Sequence, residues 1–281
     1  MKNDLILVIG ASGTVGSGIV QNLKKQGFRV RATTSKSVKS SDELVPVNLA
    51  TGEGINAAFE GVDRAFLLSP PGYANHYAML SPLIQESKRR GLKKVVLMTA
   101  MGANADESSP FRKAEIELEK SGLNYNIIRP NWFLNNFHTF WIQGINEQNK
   151  ILLPAGNAKV SFIDARDISN VASTLLTSDK FDRKDFDLTS NEAVDHSQVA
   201  SAISKVTGRK IEYKEVTPEE FKKGLLNAGL PEDYVNFLVL IFGFLKEGYS
   251  SRLTTSVKDI TGQEPKSLAQ YVADNKINWI K

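Results

Sequence analysis

The residues best placed to do chemistry lie near the amino terminus. Gly10-Ala11-Ser12-Gly13-Thr14-Val15-Gly16 follows the apolar run Leu5–Ile9 and opens a helical pattern. Glycine at these positions lets a strand turn sharply into a helix, lets backbone approach a diphosphate, and lets the helix pack closely on its sheet. The unpaired N–H groups and partial positive charge of the helix start then face the phosphates. The strand before and the helix after give the spacing its meaning; a tight turn with no ligand is the plainer alternative. No Lys-Ser or Lys-Thr follows, so a triphosphate loop is not expected. Gly10, Ser12, Gly13, Thr14, Val15 and Gly16 are therefore expected to hold a dinucleotide.

The end of the second strand decides which dinucleotide. A carboxylate there would bind the ribose diol of NAD(H) and repel a 2′-phosphate. No Asp or Glu occurs between Asp4 and Asp42, while Thr34, Ser35 and Lys36 stand at that strand end with Arg31 and Lys39 near by. Charge-assisted bonds from these cations favour NADP(H), with NAD(H) left open, since solvated surface cations are also common. The Tyr-x-x-x-Lys pair of short-chain dehydrogenases is absent: none of the seven tyrosines has Lys four residues later. A sugar-nucleotide epimerase, which needs that tyrosine base, is disfavoured.

Further motifs follow in order: Gly61-Val62-Asp63, Val95-Val96-Leu97-Met98-Thr99, Lys113-Ala114-Glu115-Ile116-Glu117, Ile128-Arg129-Pro130-Asn131-Trp132-Phe133, Phe162-Ile163-Asp164-Ala165-Arg166-Asp167-Ile168 and Val206-Thr207-Gly208-Arg209. With the glycine turn they give a chain that resembles, over nearly its whole length, the NmrA-like branch of the atypical short-chain dehydrogenases. Thr261-Gly262-Gln263-Glu264-Pro265-Lys266-Ser267-Leu268 is similar to endings in its fungal ergot-alkaloid reductase-like members. The resemblance implies either an NAD(P)H-dependent reductase of quinones, triphenylmethane dyes or iminium compounds, or a non-catalytic sensor of dinucleotide redox state that binds a protein partner. The Arg frequent in that family at the end of the second strand is Ser35 here.

Single residues along the chain carry candidate roles. Lys113 matches the family lysine that holds the nicotinamide ribose, although it opens a helical stretch where lysines are often only solvated. Thr99 ends the fifth strand, at the carboxyl edge where ligands sit in such sheets, or is a simple strand-end hydroxyl. Ser69-Pro70-Pro71-Gly72, after Leu68 at the end of the fourth strand, is held extended by its prolines; Leu68, Ser69 and Pro70 would wall the ribose and nicotinamide side, though turn chemistry alone could explain the segment. Asn48 could bond the adenine amine or be an ordinary loop residue. Pro130, Trp132 and Phe133 end the sixth strand, where aromatics could stack on nicotinamide or substrate or pack in a core. His138 is a candidate acid, against the commoner structural role of an isolated histidine. His76 is expected only to begin a helix, and His196 to sit in the cap-like Asp195-His196-Ser197. Asn136, Trp132, Phe133, Phe237 and Phe242 are the substrate candidates. Asp167 reads as a helix N-cap, and no metal site is expected.

These residues need a scaffold that brings strand ends together. Strands are predicted at Leu5–Ile9, Arg29–Thr33, Leu44–Val47, Ala65–Leu68, Lys94–Met98 and Tyr125–Ile128, with helices at Val15–Gln26, Ile55–Glu60, His76–Arg90 and Phe111–Ser121. That alternation means right-handed βαβ units and a parallel sheet. The fold class expected is α/β, a Rossmann-type doubly wound parallel sheet with a smaller α+β C-terminal substrate lobe. The division expected is 1–150 for the dinucleotide and 151–281 for the lobe, with second-half segments returning to the main sheet. In the second half a long aromatic helix is predicted over Trp132 to Gln148, strands at Val160–Ile163, Phe186–Leu188 and Ile211–Val216, and helices from Asp167 and near Gln198–Val206. Three more helices are predicted around Pro218–Ala228, Glu232–Lys246 and Ser267–Asp274. The run Phe237–Leu245 is apolar on all sides, so its helix should be buried, as a roof over the substrate pocket or as a homodimer seam.

Composition bounds the rest. The chain has 281 residues, no cysteine, and a net charge of +4, which removes disulfides, cysteine nucleophiles and thiolate metal sites. The basic cluster Lys88-Arg89-Arg90 with Lys93-Lys94 flanks Gly91, where cations complement a helix end. No nucleic-acid partner, membrane span or targeting segment is therefore expected, and the protein is expected in the cytoplasm as a monomer or homodimer acting on a small aromatic or quinone-like molecule.

Overall fold

The computed structural model describes residues 3–36 and 39–280. In the first half β1 (Leu5–Val8), β2 (Arg29–Thr34), β3 (Leu44–Pro46), β4 (Arg64–Leu67), β5 (Lys94–Met98) and β6 (Tyr125–Pro130) alternate with α1 (Thr14–Lys25), α2 (Ile55–Ala58), α3 (His76–Arg89) and α4 (Pro110–Glu119). The second half adds α5 (Ile142–Gln148), β7 (Lys150–Leu153), α6 (Ala165–Leu176), β8 (Lys184–Leu188), α7 (His196–Thr207), β9 (Glu212–Glu215), α8 (Pro218–Asn227), α9 (Glu232–Lys246), α10 (Ser256–Thr261) and α11 (Leu268–Asp274). The main sheet is parallel throughout, in the order β3-β2-β1-β4-β5-β6-β8. This is the expected α/β Rossmann-type architecture.

The sheet forms because its strands are apolar on both faces. Leu5, Leu7 and Ile9 point to a core shared with Leu83 of α3 and Leu118 of α4, while Ile6 and Val8 point to one shared with Ile19 of α1 and Ile168 of α6. Each buried aliphatic side chain contributes about 1.5–3 kcal/mol, so both helical layers are held firmly. α6, from the second half, lies so close on α1 that a Cβ at Gly18 would sit 2.6 Å from the Ser169 hydroxyl. That hydroxyl donates to the Val15 carbonyl at 2.8 Å. A third core gathers Phe137, Phe162, Phe242, Tyr271 and Trp279 beside the parallel pair β7–β9.

Four expectations are corrected. Trp132 to Gln148 is not one helix: the Trp132 carbonyl accepts from Ile163 and the Leu134 amide donates to it, at 2.9 Å each. That pairing commits the segment to extended backbone before a 3-10 turn at Leu134–His138, and α5 begins only at Ile142. Val160–Ile163 makes isolated bridges to Val194 and Phe133 rather than a strand. β7 and α10 were not foreseen, both being too short to show a period. α9 has the predicted bounds but is not buried all round: Phe242 is 2% exposed, whereas Leu240 and Phe244 are 56% and 49% exposed.

A strap between α9 and α10 closes the carboxyl edge over β6 and β8. Asn131 donates through its amide to Ser161 Oγ at 2.7 Å and to the Ser250 carbonyl at 2.8 Å. Thr254 donates to the Asp187 carbonyl at 2.9 Å, and Arg252 pairs with the Asp187 carboxylate. The edge over β1, β4 and β5, the crevice side of such a sheet, carries the partly open Leu68, Ser69 and Pro70, and α9 reaches it through Phe237 on His76.

Candidate functional site

The parallel register aligns Val8 with Ala32 and Phe66, Leu67 with Leu97, and Met98 with Ile128. The predicted site residues that follow each strand therefore emerge along one edge. At β1 the turn is built as the spacing requires. Gly10 has φ +70°, and the Gly13 amide donates to the Gly10 carbonyl at 2.9 Å. A Cβ at Gly16 would stand 2.2 Å from that carbonyl oxygen, an impossible contact. Leu68 packs over Gly10, and the Thr33 hydroxyl accepts from the Gly10 amide at 3.0 Å. Gly13 caps α1 without any side-chain bond, so the first amides of the helix await an acceptor. Ser12, Gly13 and Thr14 are exposed, while Val15 and Gly16 are buried. The cradle fits a diphosphate in shape, charge and unfilled donors.

Beside it, Ser35 and Lys36 are exposed, and the Thr34 hydroxyl accepts from the Lys36 amide at 3.2 Å. Arg31 is not available to a phosphate as expected. Its guanidinium donates to the Asp42 carbonyl at 3.0 Å and to the Ala58 and Glu60 carbonyls, fastening β2 to the α2 region. Asn48 turns its carbonyl oxygen onto the Ala50 and Thr51 amides at 3.0 and 3.3 Å, leaving its NH₂ to the exterior.

The end of β5 holds a buried charge cluster that the spacing alone did not reveal. Thr99 donates its hydroxyl to Glu115 Oε1 at 2.6 Å. Glu115, fully buried, also takes a two-pronged contact from Arg129 at 2.8 Å on each oxygen and one from Arg112 at 3.0 Å. Arg129 reaches on to Asp185, so the burial of charge is compensated by hydrogen bonds on every side. With its proton committed to Glu115, Thr99 has lone pairs to offer a ligand. Lys113 stands exposed in the first turn of α4.

Two aromatic groups lie under α9. At one end Phe242 sits 4.7 Å from Trp132 and 4.9 Å from Phe221 between ring centres. At the other end Phe237 meets His76, at the start of α3, edge-on at 5.4 Å. His76 is itself stacked on Phe111 at 4.0 Å and 7°, and its Nδ1 lies 3.0 Å from Ser69 Oγ. Burial pushes the Tyr234 hydroxyl above its ordinary pKa, with a backbone bond at Gly72 opposing the shift; this too ties α9 to the loop after β4. Pro130 is buried and accepts from the Met101 amide at 3.0 Å. Phe133 bridges to Ile163, and Asn136 is half-buried in the 3-10 turn.

His138 stands away from this crevice. Its Nδ1 bonds the Tyr271 hydroxyl, its ring packs against Tyr271 and Trp279 in the third core, and burial pushes its pKa down. The cap of α6 is Asp164, which accepts from the Arg166 amide at 2.8 Å. Asp167, expected as that cap, instead accepts from the Lys266 amide at 2.7 Å, because the helix starts three residues earlier than its period suggested. The basic cluster is neutralised locally: Arg89 and Arg90 pair with Glu86, Lys93 with Asp4 and Asp63, and Lys94 with Asp182. Among the described residues no helix is long and apolar enough to cross a membrane. An open hollow of about 510 Å³ between α1 and α6 is lined by Thr14, Gln21, Asn135 and Arg166, and so adjoins the cradle at Thr14.

Comparison with known proteins gives concordant results. Residues 2–272 match the NmrA-like family. An uncharacterized oxidoreductase of Bacillus subtilis is 31% identical, over 99% of this chain and 98% of its own. The NAD(P)H azoreductase of Xenophilus azovorans is 28% identical, over 95% and 96% respectively. Among solved structures, triphenylmethane reductase of Citrobacter sp., complexed with NADP(H), superposes with a TM-score of 0.80 at 22% identity, over 96% of this chain and 99% of that one.

Proposed function

Because the chain belongs to the NmrA-like family, we propose that it is an NAD(P)H-dependent oxidoreductase. It would reduce a small aromatic or conjugated acceptor of the quinone, dye or iminium kind, with NADP(H) preferred. The observation that carries this reading is the cradle: Gly10, Gly13 and Gly16 close a turn with no room for a side chain at Gly16 and leave the α1 amides uncapped. The relatives named an oxidoreductase and an azoreductase support it. A bound reduced dinucleotide would supply the hydride.

This chain's residues would bind, orient and exclude water. The amides of Thr14 and Val15 would face the diphosphate, with the hydroxyl of Ser12 beside them. Thr34, Ser35 and Lys36 would surround the adenosine phosphate, and the Asn48 NH₂ would face the adenine end. Leu68, Ser69 and Pro70 would wall the reactive ring, with Pro130, Trp132 and Phe133 on its far side. Lys113 would hold a ribose hydroxyl, and Thr99 would accept a hydrogen bond from one. Trp132, Phe133, Asn136 and Phe237 would bound the acceptor, with the buried Phe242 backing Trp132 from the third core; flat apolar walls suit an electron-poor ring that needs stacking and desolvation more than a strong acid. No tyrosine carries the lysine partner four residues on that would activate it, so the proton taken up by the reduced acceptor would come from solvent, and the half-buried His138, whose Nδ1 is bonded to the Tyr271 hydroxyl, is not favoured as its donor.

Spectrophotometric NADPH oxidation over a panel of quinones, azo and triphenylmethane dyes and enones, paired with calorimetric titration of NADPH, NADP⁺ and NADH, tests the reading. Turnover of at least one acceptor, with NADPH bound more tightly than NADH, is the expected result. Tight binding of both redox forms with no turnover would assign a sensor instead, and no binding at all would overturn both.

A further inference from the structure

His76 is 5% exposed, yet its Nε2 has no hydrogen-bond partner. A buried ring nitrogen without a partner costs roughly 1–3 kcal/mol, and phenylalanine would fill the same space between Phe111 and Phe237 without that cost. What phenylalanine lacks is Nδ1, the atom 3.0 Å from Ser69 Oγ. Ser69 is the second residue beyond β4 and, unlike His76, is partly exposed. The imidazole thus joins three elements at one point: α3 through its own backbone, the β4 loop through Ser69, and α9 through Phe237.

We propose that His76 is a positioning residue: its Nδ1 fixes the Ser69 hydroxyl at the carboxyl end of β4, where it contacts the nicotinamide half of a bound dinucleotide, while its ring keys the α9 roof to that strand end. The proposal rests on the dinucleotide reading above. Bound to Nδ1, the Ser69 oxygen has one hydrogen-bond direction fixed by the protein and presents the remainder to the ligand. A hydroxyl left to rotate loses that preorganisation, and a ligand must then order it on binding.

The test separates the polar atom from the ring. NADPH affinity is measured by calorimetry for the unmodified chain and for Ser69→Ala, His76→Phe, the Ser69→Ala/His76→Phe double variant and His76→Asn, each checked for folding by circular dichroism. One hydrogen bond to a ligand is worth about a factor of 5–10 in affinity. Ser69→Ala should weaken NADPH by about that factor and His76→Phe by part of it, and the double variant should be no worse than Ser69→Ala, because without the hydroxyl His76 has nothing left to position. His76→Asn can place an amide near the former Nδ1 and should recover most of the affinity despite losing the ring stack. If stacking were the whole role, His76→Phe would bind as the unmodified chain does and His76→Asn would not. That pattern, or additive losses in the double variant, would overturn the proposal while leaving the dinucleotide reading intact. Failure of the unmodified chain to bind NADPH would overturn both.

Discussion

Gly13 and Gly16 do different work, and substitution should separate them. At Gly16 a Cβ would collide with backbone at 2.2 Å, so Gly16→Ala must deform the turn. Its cost should be about 3 kcal/mol or more, the upper end for overpacked sites, with loss of nucleotide binding. At Gly13 the nearest atom would be 3.3 Å away at an ordinary φ of −84°. Gly13→Ala should melt within a few degrees of the unmodified protein yet weaken NADPH at least tenfold, since its methyl would occupy the phosphate's place; parallel melting and calorimetry check this. Glu115→Gln should cost about 2–4 kcal/mol in denaturant titration, because Arg129 is buried and would keep only Asp185 and the more distant Asp187 as charged partners. The glycine turn was legible in the sequence because its constraint is local. The Ser69–His76 pair was not, because its packing partners Phe111 and Phe237 come from α4 and α9, far along the chain.

At the scale of elements, α9 carries the clearest contrast. Its inward Phe242 fills a space among Trp132, Phe221 and Trp141, and Phe242→Ala should cost about 3–5 kcal/mol. Leu240 on the outer face should be replaceable by alanine within about 0.5 kcal/mol. Phe237→Ala, at the crevice end, should raise KM for the acceptor more than it lowers the melting temperature. If α9 were instead a seam between two copies, that variant would change the size in solution with KM unmoved. The βαβ rhythm of the first half was readable because each helix is amphipathic over a parallel strand and ends in a glycine stop. After Pro130 tertiary pairing overrides local preference: the bridge to Ile163 breaks what looked like a single aromatic helix, a contact that no window of neighbouring residues contains.

For the molecule as a whole, buried histidines set the acid limb of stability. Burial holds His76 and His196 at about 4, against an ordinary 6.5. Between those values the unfolded chain carries the extra protons, so their contribution is complete above about pH 6.5 and is lost as pH falls toward 4. At about 1.4 kcal/mol per pKa unit, each is worth roughly 3 kcal/mol. Asp167 acts in the opposite sense: burial lifts it to about 6 from 3.8, so the folded chain takes up its proton first and gains roughly 3 kcal/mol as pH falls through that interval. Two histidines against one aspartate leave a net loss of about 3 kcal/mol by pH 4. Melting temperature should therefore fall steadily from pH 6.5 to 4; a flat profile would show that the histidines are not held neutral. His196→Phe should flatten the decline, because both His196 nitrogens lack partners among Phe137, Trp141, Phe162 and Tyr213.

The position of β8 beside β6 has a consequence for biosynthesis. Translation delivers six strands of the sheet in succession, but the outer margin of β6 stays uncovered until the ribosome has also produced α5, β7 and α6. A nascent polypeptide at that stage exposes an unsaturated row of amides and carbonyls, the feature by which sheets recruit foreign strands. Chaperone occupancy should peak when residues between β6 and β8 are emerging, and should fall once Lys184–Leu188 have left the exit tunnel.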